Sequence, residues 1–203
     1  MKKHSIKKGM SLVELLVAIT ILSLGMVAFT LLSARAWNYK GYVLEQATAT
    51  ASASRVITQL VHELRAIRQG DDGSYPIKET EEYSMIVYRD EDGDGSAERV
   101  HYFVDNEEKL KKGVTKFVDG SYAADDATVE VLLNYVTNLT TSKPFFSYYD
   151  NRFSILTEDA MSSPTAYDTR LVRLHLWINI RPIVAPENVN LESVVELRNL
   201  NES

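Results

Sequence analysis

The sequence predicts an α+β protein in which one long N-terminal helix, membrane-spanning and then amphipathic, packs on antiparallel β-sheet. Three observations predict this fold. An uncharged apolar run extends from Leu15 to Ala34. Apolar residues then recur at helical spacing, and much of the remaining chain alternates apolar and polar residues with the two-residue period of a strand. The 203 residues leave room for one modest domain beyond the helix.

The apolar run is predicted to be the transmembrane half of the helix, at residues 10–34. Its roughly twenty uncharged residues are enough to cross a hydrocarbon core of about 30 Å. Lysines precede the run, and basic flanks hold an N-terminus on the cytoplasmic side. Glu14 lies within this apolar stretch, where a carboxylate at the bilayer centre costs about 2.5–3.5 kcal/mol. Because a charge retained at that cost is usually functional, we expect Glu14 to have a partner.

The residues around Glu14 form a motif. From residue 8 the chain reads Lys-Gly-Met-Ser-Leu-Val-Glu-Leu-Leu, which resembles the processing site of the type IV pilin and type II secretion pseudopilin family. The resemblance implies a basic prepilin leader at 1–9, cleavage by prepilin peptidase between Gly9 and Met10, and N-methylation of Met10. The family usually has Phe where this chain has Met10. The resemblance also implies that Glu14 contacts the N-terminal amine of a neighbouring subunit during assembly.

The residues of the motif suit this chemistry. Gly9 has no side chain, so a protease can approach the backbone closely. Cleavage after Gly9 leaves an ammonium on Met10, about one helical turn from Glu14. Opposite charges that pair in a low-dielectric environment stabilise each other, whereas either charge alone is unfavourable there. Two other interpretations are a secretory signal peptide, whose apolar region is shorter, and a plain signal anchor with an incidental glutamate.

The same resemblance implies a structural subunit rather than an enzyme, with a pilin-like fold. Such a subunit is a single-pass protein of the inner membrane with its C-terminal domain in the periplasm, and it is later incorporated into a pilus or pseudopilus. Its expected partners are prepilin peptidase, the inner-membrane assembly platform, the major subunit and other minor pilins or pseudopilins.

Three further segments resemble minor subunits of the family, in particular PilW-like minor pilins and the J-type minor pseudopilin. These segments are Asp90–Gly95, Tyr148–Asp150 and Val194–Asn199. The resemblance implies a place in the initiating tip complex and leaves open whether a pilus or a secretion machine is served. The alternative function is a membrane-tethered periplasmic binding protein or adhesin, including a calcium-dependent one.

Beyond the membrane run, the helix is predicted to continue to about Gln69 as an amphipathic periplasmic half, at 35–70. Four apolar residues recur at helical spacing, and four charged residues lie mostly on other faces. The apolar residues are Ile57, Leu60, Leu64 and Ile67, and the charged residues are Arg55, Glu63, Arg65 and Arg68. Gly70 provides a C-terminal stop. We expect the apolar stripe to pack under a sheet.

Residues 71–203 are predicted to form a β-rich periplasmic globular domain. Strands are expected at 83–88, 99–104 and 145–149, with a short strand broken by Gly113 in 110–118. Residues 129–139 are compatible with either a helical turn or a strand. Two later segments alternate most cleanly and predict two more strands. Their inward residues are Val172, Leu174, Leu176, Ile178 and Ile180 in one, and Leu191, Ser193, Val195 and Leu197 in the other.

The turn between the predicted strands at 83–88 and 99–104 resembles the opening of a calcium-binding loop. Asp90, Asp92 and Asp94 alternate before Gly95, a pattern that supplies oxygen ligands and a sharp turn. Glu98 occupies the ninth position, but the twelfth is a histidine instead of the usual glutamate. The sequence therefore allows a weak Ca²⁺ site of Asp90, Asp92, Asp94 and Glu98, or an ordinary acidic turn. No other cofactor is expected.

Composition excludes several kinds of function. The chain has no cysteine, so disulfides and thiolate metal sites are ruled out. Its formal charge is -6, and loss of the four leader lysines would leave -10. Such an acidic chain is not expected to bind nucleic acid, because that binding depends on Lys and Arg neutralising phosphates. The four histidines are scattered, and no hydrolase or phosphate-binding motif is present, so we expect no enzymatic activity.

Overall fold

The computed structural model describes residues 11–151, 160–179 and 189–197. Within these residues a helix, α1 (Leu12–Arg65), precedes ten strands, which confirms the α+β class. The strands are β1 (Ile77–Thr80), β2 (Ser84–Arg89), β3 (Glu98–Val104), β4 (Lys109–Thr115), β5 (Phe117–Val118), β6 (Ser121–Tyr122), β7 (Thr128–Asn134), β8 (Phe146–Tyr149), β9 (Leu171–Ile178) and β10 (Val189–Glu196).

The chain divides into two compact units, one up to Ala47 and the other from Thr48 onward. The first unit contains the apolar part of α1. Leu12–Trp37 spans 26 residues with a mean hydropathy of 2.5, and none of its most apolar window is buried. By length and composition this segment can cross a membrane. A helix that is apolar on every side needs lipid or other helices around it.

In the second unit, the end of α1 packs its apolar stripe into the core. Ala53, Leu60 and Leu64 are completely buried. The helix ends at Arg65, so the prediction that it continues to Gln69 is wrong. Ile67 instead forms a β-bridge with Arg89, and the Arg68 N–H donates to the Tyr88 carbonyl at 2.8 Å. Pairing with β2 therefore unwinds the last predicted turn, while Ile67 still enters the core.

A five-stranded antiparallel sheet of order β1-β2-β3-β4-β7 covers this part of the helix. β2 and β3 confirm the two strands predicted on either side of the acidic turn, and β7 resolves 129–139 as largely strand. β4 passes through Gly113 without interruption, so the predicted break is wrong. A Cβ at Gly113 would lie 2.2 Å from Asp126 Oδ2. The glycine thus makes room for a side chain that crosses over the strand.

A second, three-stranded sheet has the order β10-β9-β8. The predicted alternation on β9 and β10 is confirmed within the described residues, because Val172, Leu174 and Leu176 face the core and Glu192 is exposed. Ile180 lies outside the described residues. On the opposite face of β9, His175 has a partner, because its Nε2 lies 3.1 Å from Glu192 Oε2 on the neighbouring strand.

Candidate functional site

Glu14 forms a reciprocal capping pair with Ser11 at the start of α1. The Ser11 N–H donates to Glu14 Oε2 at 3.0 Å, and the Glu14 N–H donates to Ser11 Oγ at 3.2 Å. Both residues are exposed. This is a capping box, in which an N-cap serine and a glutamate three residues later satisfy two otherwise free backbone donors. Sequence reasoning missed Ser11, although the pattern Ser-x-x-Glu before an apolar run is its usual signal.

The cap places Glu14 at the end of the apolar span instead of its middle. A carboxylate there interacts favourably with the positive end of the helix dipole, and its cost in a membrane is lower than at the centre. Gly9 and Met10, the predicted sites of cleavage and methylation, lie outside the described residues. Glu14 is nevertheless held in the turn that directly follows Met10 in the chain.

Three hydroxyl groups within the apolar span donate to carbonyls of the helix itself. Thr20 Oγ1 donates to the Leu16 carbonyl and Ser23 Oγ to the Ile19 carbonyl, both at 2.8 Å. Thr30 makes the same bond one turn back along the helix. Since hydrocarbon offers no partners to a polar group, these internal bonds make the hydroxyls compatible with lipid.

The acidic turn between β2 and β3 is organised by its own carboxylates. Asp90 accepts from the N–H groups of Gly93 at 2.7 Å and Gly95 at 3.0 Å. Both glycines have positive φ angles, 78° and 91°, which few other residues adopt. Asp94 accepts from the Ser96 N–H at 2.8 Å. The turn is therefore a defined structure and not simply a run of charged residues.

Three of the four predicted metal ligands converge. One carboxylate oxygen from each of Asp90, Asp92 and Glu98 lies within 4.8 Å of the other two. Asp94 is not part of this group. Lys116 Nζ lies 2.5 Å from Asp92 Oδ2 and 4.0 Å from Asp94. Its hydrogen bond holds the pKa of Asp92 below the usual value, and the same bond raises the pKa of Lys116.

The far end of the turn is fastened to the connection between α1 and β1. Asp71 Oδ2 accepts from Ser96 Oγ at 2.5 Å and from the Ala97 N–H at 3.0 Å. These two hydrogen bonds lower the pKa of Asp71. Tyr122 accepts from the Asp71 N–H at 3.0 Å and donates to the Ala97 carbonyl at 2.5 Å. Glu98 is the next residue after Ala97, so the hydrogen bonds of Asp71 and Tyr122 to the Ala97 backbone fix where Glu98 begins β3.

A buried charge cluster lies between α1 and the five-stranded sheet. Glu63 accepts from Tyr102, from Lys112 at 3.1 Å and from Gln59 at 2.8 Å. Lys112 also donates to Glu91 Oε1 at 2.5 Å. Burial opposes ionisation of Glu63, but the hydrogen bonds from Tyr102 and Gln59, with the charge of Lys112, lower its pKa overall. Burial, followed by the Glu63 charge, raises the pKa of Tyr102 well above its usual range.

The prediction that Glu63 faces away from the apolar stripe is therefore wrong. Only 9% of its side chain is exposed, and only 1% of the Lys112 side chain. A buried carboxylate and ammonium are tolerated when each has the other and further hydrogen bonds. The sequence carries no signal for this pair, because the two residues are 49 positions apart.

His101 belongs to a separate polar network on the outer face of β3. Its Nδ1 lies 2.8 Å from Asp126 Oδ2, and its Nε2 lies 3.0 Å from Ser84 Oγ. Ser84 Oγ also lies 2.9 Å from Glu79 Oε1, which extends the network to Glu79. Asp126 also accepts from Arg99 at 3.0 Å. The network fastens the segment that carries Asp126 to the sheet.

Comparison with protein families matched a family model described as the prokaryotic N-terminal methylation motif, at residues 5–32. The match contains Gly9, Met10 and Glu14, and it confirms the motif that the sequence indicated around these residues. Comparison with curated proteins and with solved structures found no match. The individual roles of Gly9, Met10 and Glu14 stay predictions.

Proposed function

We propose that this chain, a type IV pilin-like or pseudopilin-like protein by its methylation motif, is a minor subunit of a type IV pilus or a type II secretion pseudopilus. Prepilin peptidase removes residues 1–9, Met10 becomes the methylated N-terminus, and the apolar helix enters the filament at its initiating tip. The observation that carries this proposal is the position of Glu14, which forms the cap of an unburied apolar helix and lies within the matched motif.

The geometry at Glu14 supports its role in assembly. The bond from the Ser11 N–H uses Oε2, and a carboxylate has lone pairs for further donors. Cleavage after Gly9 would create an ammonium on Met10, and a second subunit brings such an ammonium close to Glu14. In surroundings of low dielectric the pair is strongly favoured over two separate charges. The carboxylate would thereby set the depth at which a new subunit joins its neighbour.

The apolar helix supplies the remaining contact surface. Leu12, Phe29 and Leu32 are each about two-thirds or more exposed, so none of the residues that the structure describes buries them. In the inner membrane lipid covers it, with the β-rich domain on the periplasmic side. In a filament the helices of the major subunit and of other minor subunits take the place of lipid, after delivery by the assembly platform.

The minor role and the tip position rest on the resemblance of the acidic turn, Tyr148–Asp150 and Val194–Asn199 to minor subunits. The alternative, a membrane-tethered binding protein or adhesin, would use the same anchor without cleavage. The two functions differ in a covalent property of the mature protein, so mass spectrometry separates them.

The test is the intact mass of the full chain purified from membranes of cells that contain prepilin peptidase. We expect the loss of residues 1–9 and the addition of a methyl group. A matched Gly9→Val variant should keep the leader, because its side chain obstructs the protease. An uncut wild-type chain in these cells would contradict the proposal and favour the tethered binding protein.

A second experiment distinguishes a pilus subunit from a subunit of the secretion pseudopilus. The gene is deleted, and surface pili and secreted proteins are both scored, with wild-type and Glu14→Ala complementation. Loss of pili indicates a pilus subunit, and loss of secretion indicates a pseudopilus subunit. Normal pili together with normal secretion would contradict an assembly role.

A further inference from the structure

We propose that the turn between β2 and β3 binds Ca²⁺ through Asp90, Asp92 and Glu98. One oxygen of each carboxylate lies within 4.8 Å of the others, which allows a single cation to contact all three. Calcium takes six to eight oxygen ligands in flexible geometry at about 2.3–2.6 Å. Backbone carbonyls of the turn and water would supply the remaining ligands. This inference does not depend on the proposed assembly function.

Glu98 distinguishes this site from an ordinary acidic turn. Glu98 is only 1% exposed. Oε2 accepts from the Glu91 N–H at 2.8 Å, whereas Oε1 is buried and, among the described residues, has no hydrogen-bond partner. An ionised oxygen that is removed from water without a partner is strongly unfavourable. A cation beside Asp90 and Asp92 would satisfy it.

The surroundings of Glu98 also favour a cation. A cavity of about 300 Å³ adjoins the cluster. The charged side chains that line it are four carboxylates and two ammonium groups, namely Glu91, Asp92, Glu98, Glu130, Lys112 and Lys116. Lys112 is already bound to Glu63 and Glu91. Four carboxylates against two ammonium groups give the lining a net negative charge.

The ligand set selects calcium over other metals. All three candidate ligands are carboxylates, which suit hard cations and not zinc or copper. His101, at the twelfth position of the loop pattern, is engaged with Asp126 and Ser84 instead. Magnesium requires near-ideal octahedral geometry and gives up water reluctantly, so an irregular cluster of partly buried carboxylates favours calcium.

Lys116 competes with the cation. Its ammonium lies 2.5 Å from Asp92 Oδ2, and 61% of its side chain is exposed, so it can leave for solvent at little cost. Calcium binding would displace Lys116 from Asp92. Substitution of Lys116 by a neutral residue should therefore strengthen calcium binding, an effect opposite to that of removing a ligand.

The test is calorimetric titration of the detergent-solubilised full chain with CaCl₂ and, separately, MgCl₂. We expect calcium binding with a Kd of about 10⁻⁴–10⁻³ M, the range of extracellular calcium modules. Glu98→Gln and Asp90→Asn should weaken binding by about tenfold or more, and Lys116→Gln should tighten it by about threefold. Asp94→Asn is the matched control, because it removes a charge from the same turn without removing one of the three ligands, and its Kd should stay within about twofold of wild type.

Thermal melting verifies that the variants fold. Without calcium, Glu98→Gln should melt no lower than wild type, because the substitution removes a buried charge with an unsatisfied oxygen. With calcium, only chains that keep the site should gain melting temperature. Three results would overturn the proposal: no calcium heat from the wild-type chain, equal affinity for magnesium, or unchanged calcium affinity in a folded Glu98→Gln chain.

Discussion

Lys112 of β4 donates to Glu63 of α1 at 3.1 Å, and both side chains are buried between the helix and the five-stranded sheet. Tyr102 donates to the other oxygen of the same carboxylate. The pair therefore links α1 to the five-stranded sheet through a charged contact in an otherwise largely apolar core. Either charge becomes costly when its partner is removed.

Glu63→Gln should destabilise the domain by about 3 kcal/mol, because it leaves Lys112 buried with Glu91 as its remaining carboxylate partner. The measurement is urea unfolding of the detergent-solubilised chain, followed by tyrosine and tryptophan fluorescence. Glu107→Gln is the control, since Glu107 is largely exposed and its removal should change the unfolding free energy little. Equal unfolding curves for both variants would show that the buried pair contributes nothing.

The domain should lose stability in acid. The pKa of Glu63 in the folded chain lies below its ordinary value of 4.5, so the unfolded chain takes up protons first as the pH falls. The contribution of Glu63 is complete above about pH 4.5 and is lost as the pH falls through the folded pKa. Asp71 and Asp92 have lowered pKa values as well. Melting temperatures measured between pH 7 and pH 3 (about the acid limit of carboxyl titration) should fall less steeply for Glu63→Gln than for wild type; parallel curves would contradict the assignment.

Capping and assembly can be separated at the N-terminus. Ser11→Ala removes half of the capping box at a cost of about 1 kcal/mol but keeps the Glu14 charge, so the chain should still enter filaments. Glu14→Gln keeps a side chain that can accept from Ser11 but loses the charge, so it should insert into the membrane and fail to assemble. Sedimentation of sheared filaments with immunodetection measures both. Normal incorporation of Glu14→Gln would show that the charge has no part in assembly.

Gly113→Ala should destabilise the domain by about 1–3 kcal/mol, because overpacking forces a neighbouring group to move. The added Cβ would lie 2.2 Å from Asp126 Oδ2, and a displaced Asp126 loses Arg99 and His101. A double-mutant cycle with Asp126→Gly, which also removes the Asp126 Cβ that would lie 2.8 Å from the added methyl group, tests this coupling. Once Asp126 is truncated, Gly113→Ala should cost much less. Additive effects would mean that Gly113 is constrained by something other than Asp126.

Local patterns predicted the parts of this chain that depend on nearby residues. The strands on either side of the acidic turn and the alternation on β9 were predictable because side chains alternate between the two faces of every strand. The motif around Glu14 was readable for a related reason, since the cleavage position, the new amine and the carboxylate are defined by spacing along one segment. Ser11 was missed even though its signal was local.

Contacts between distant segments decided the rest. α1 stops at Arg65 because Ile67 and Arg68 pair with β2. β4 continues through Gly113 because this residue is paired with His101 on β3 and Val129 on β7, and Asp126 occupies the space that a side chain would need. The sequence predicted a cluster of Asp90, Asp92, Asp94 and Glu98, but only the fold left Asp94 outside it and buried an oxygen of Glu98 without a partner among the described residues. Periodicity shows which face a residue occupies, whereas the charge and space opposite that face are set by residues far along the chain. The apolar helix and its motif were therefore determined by the sequence alone, and the ion pair at Glu63 and the burial of Glu98 were decided by tertiary packing.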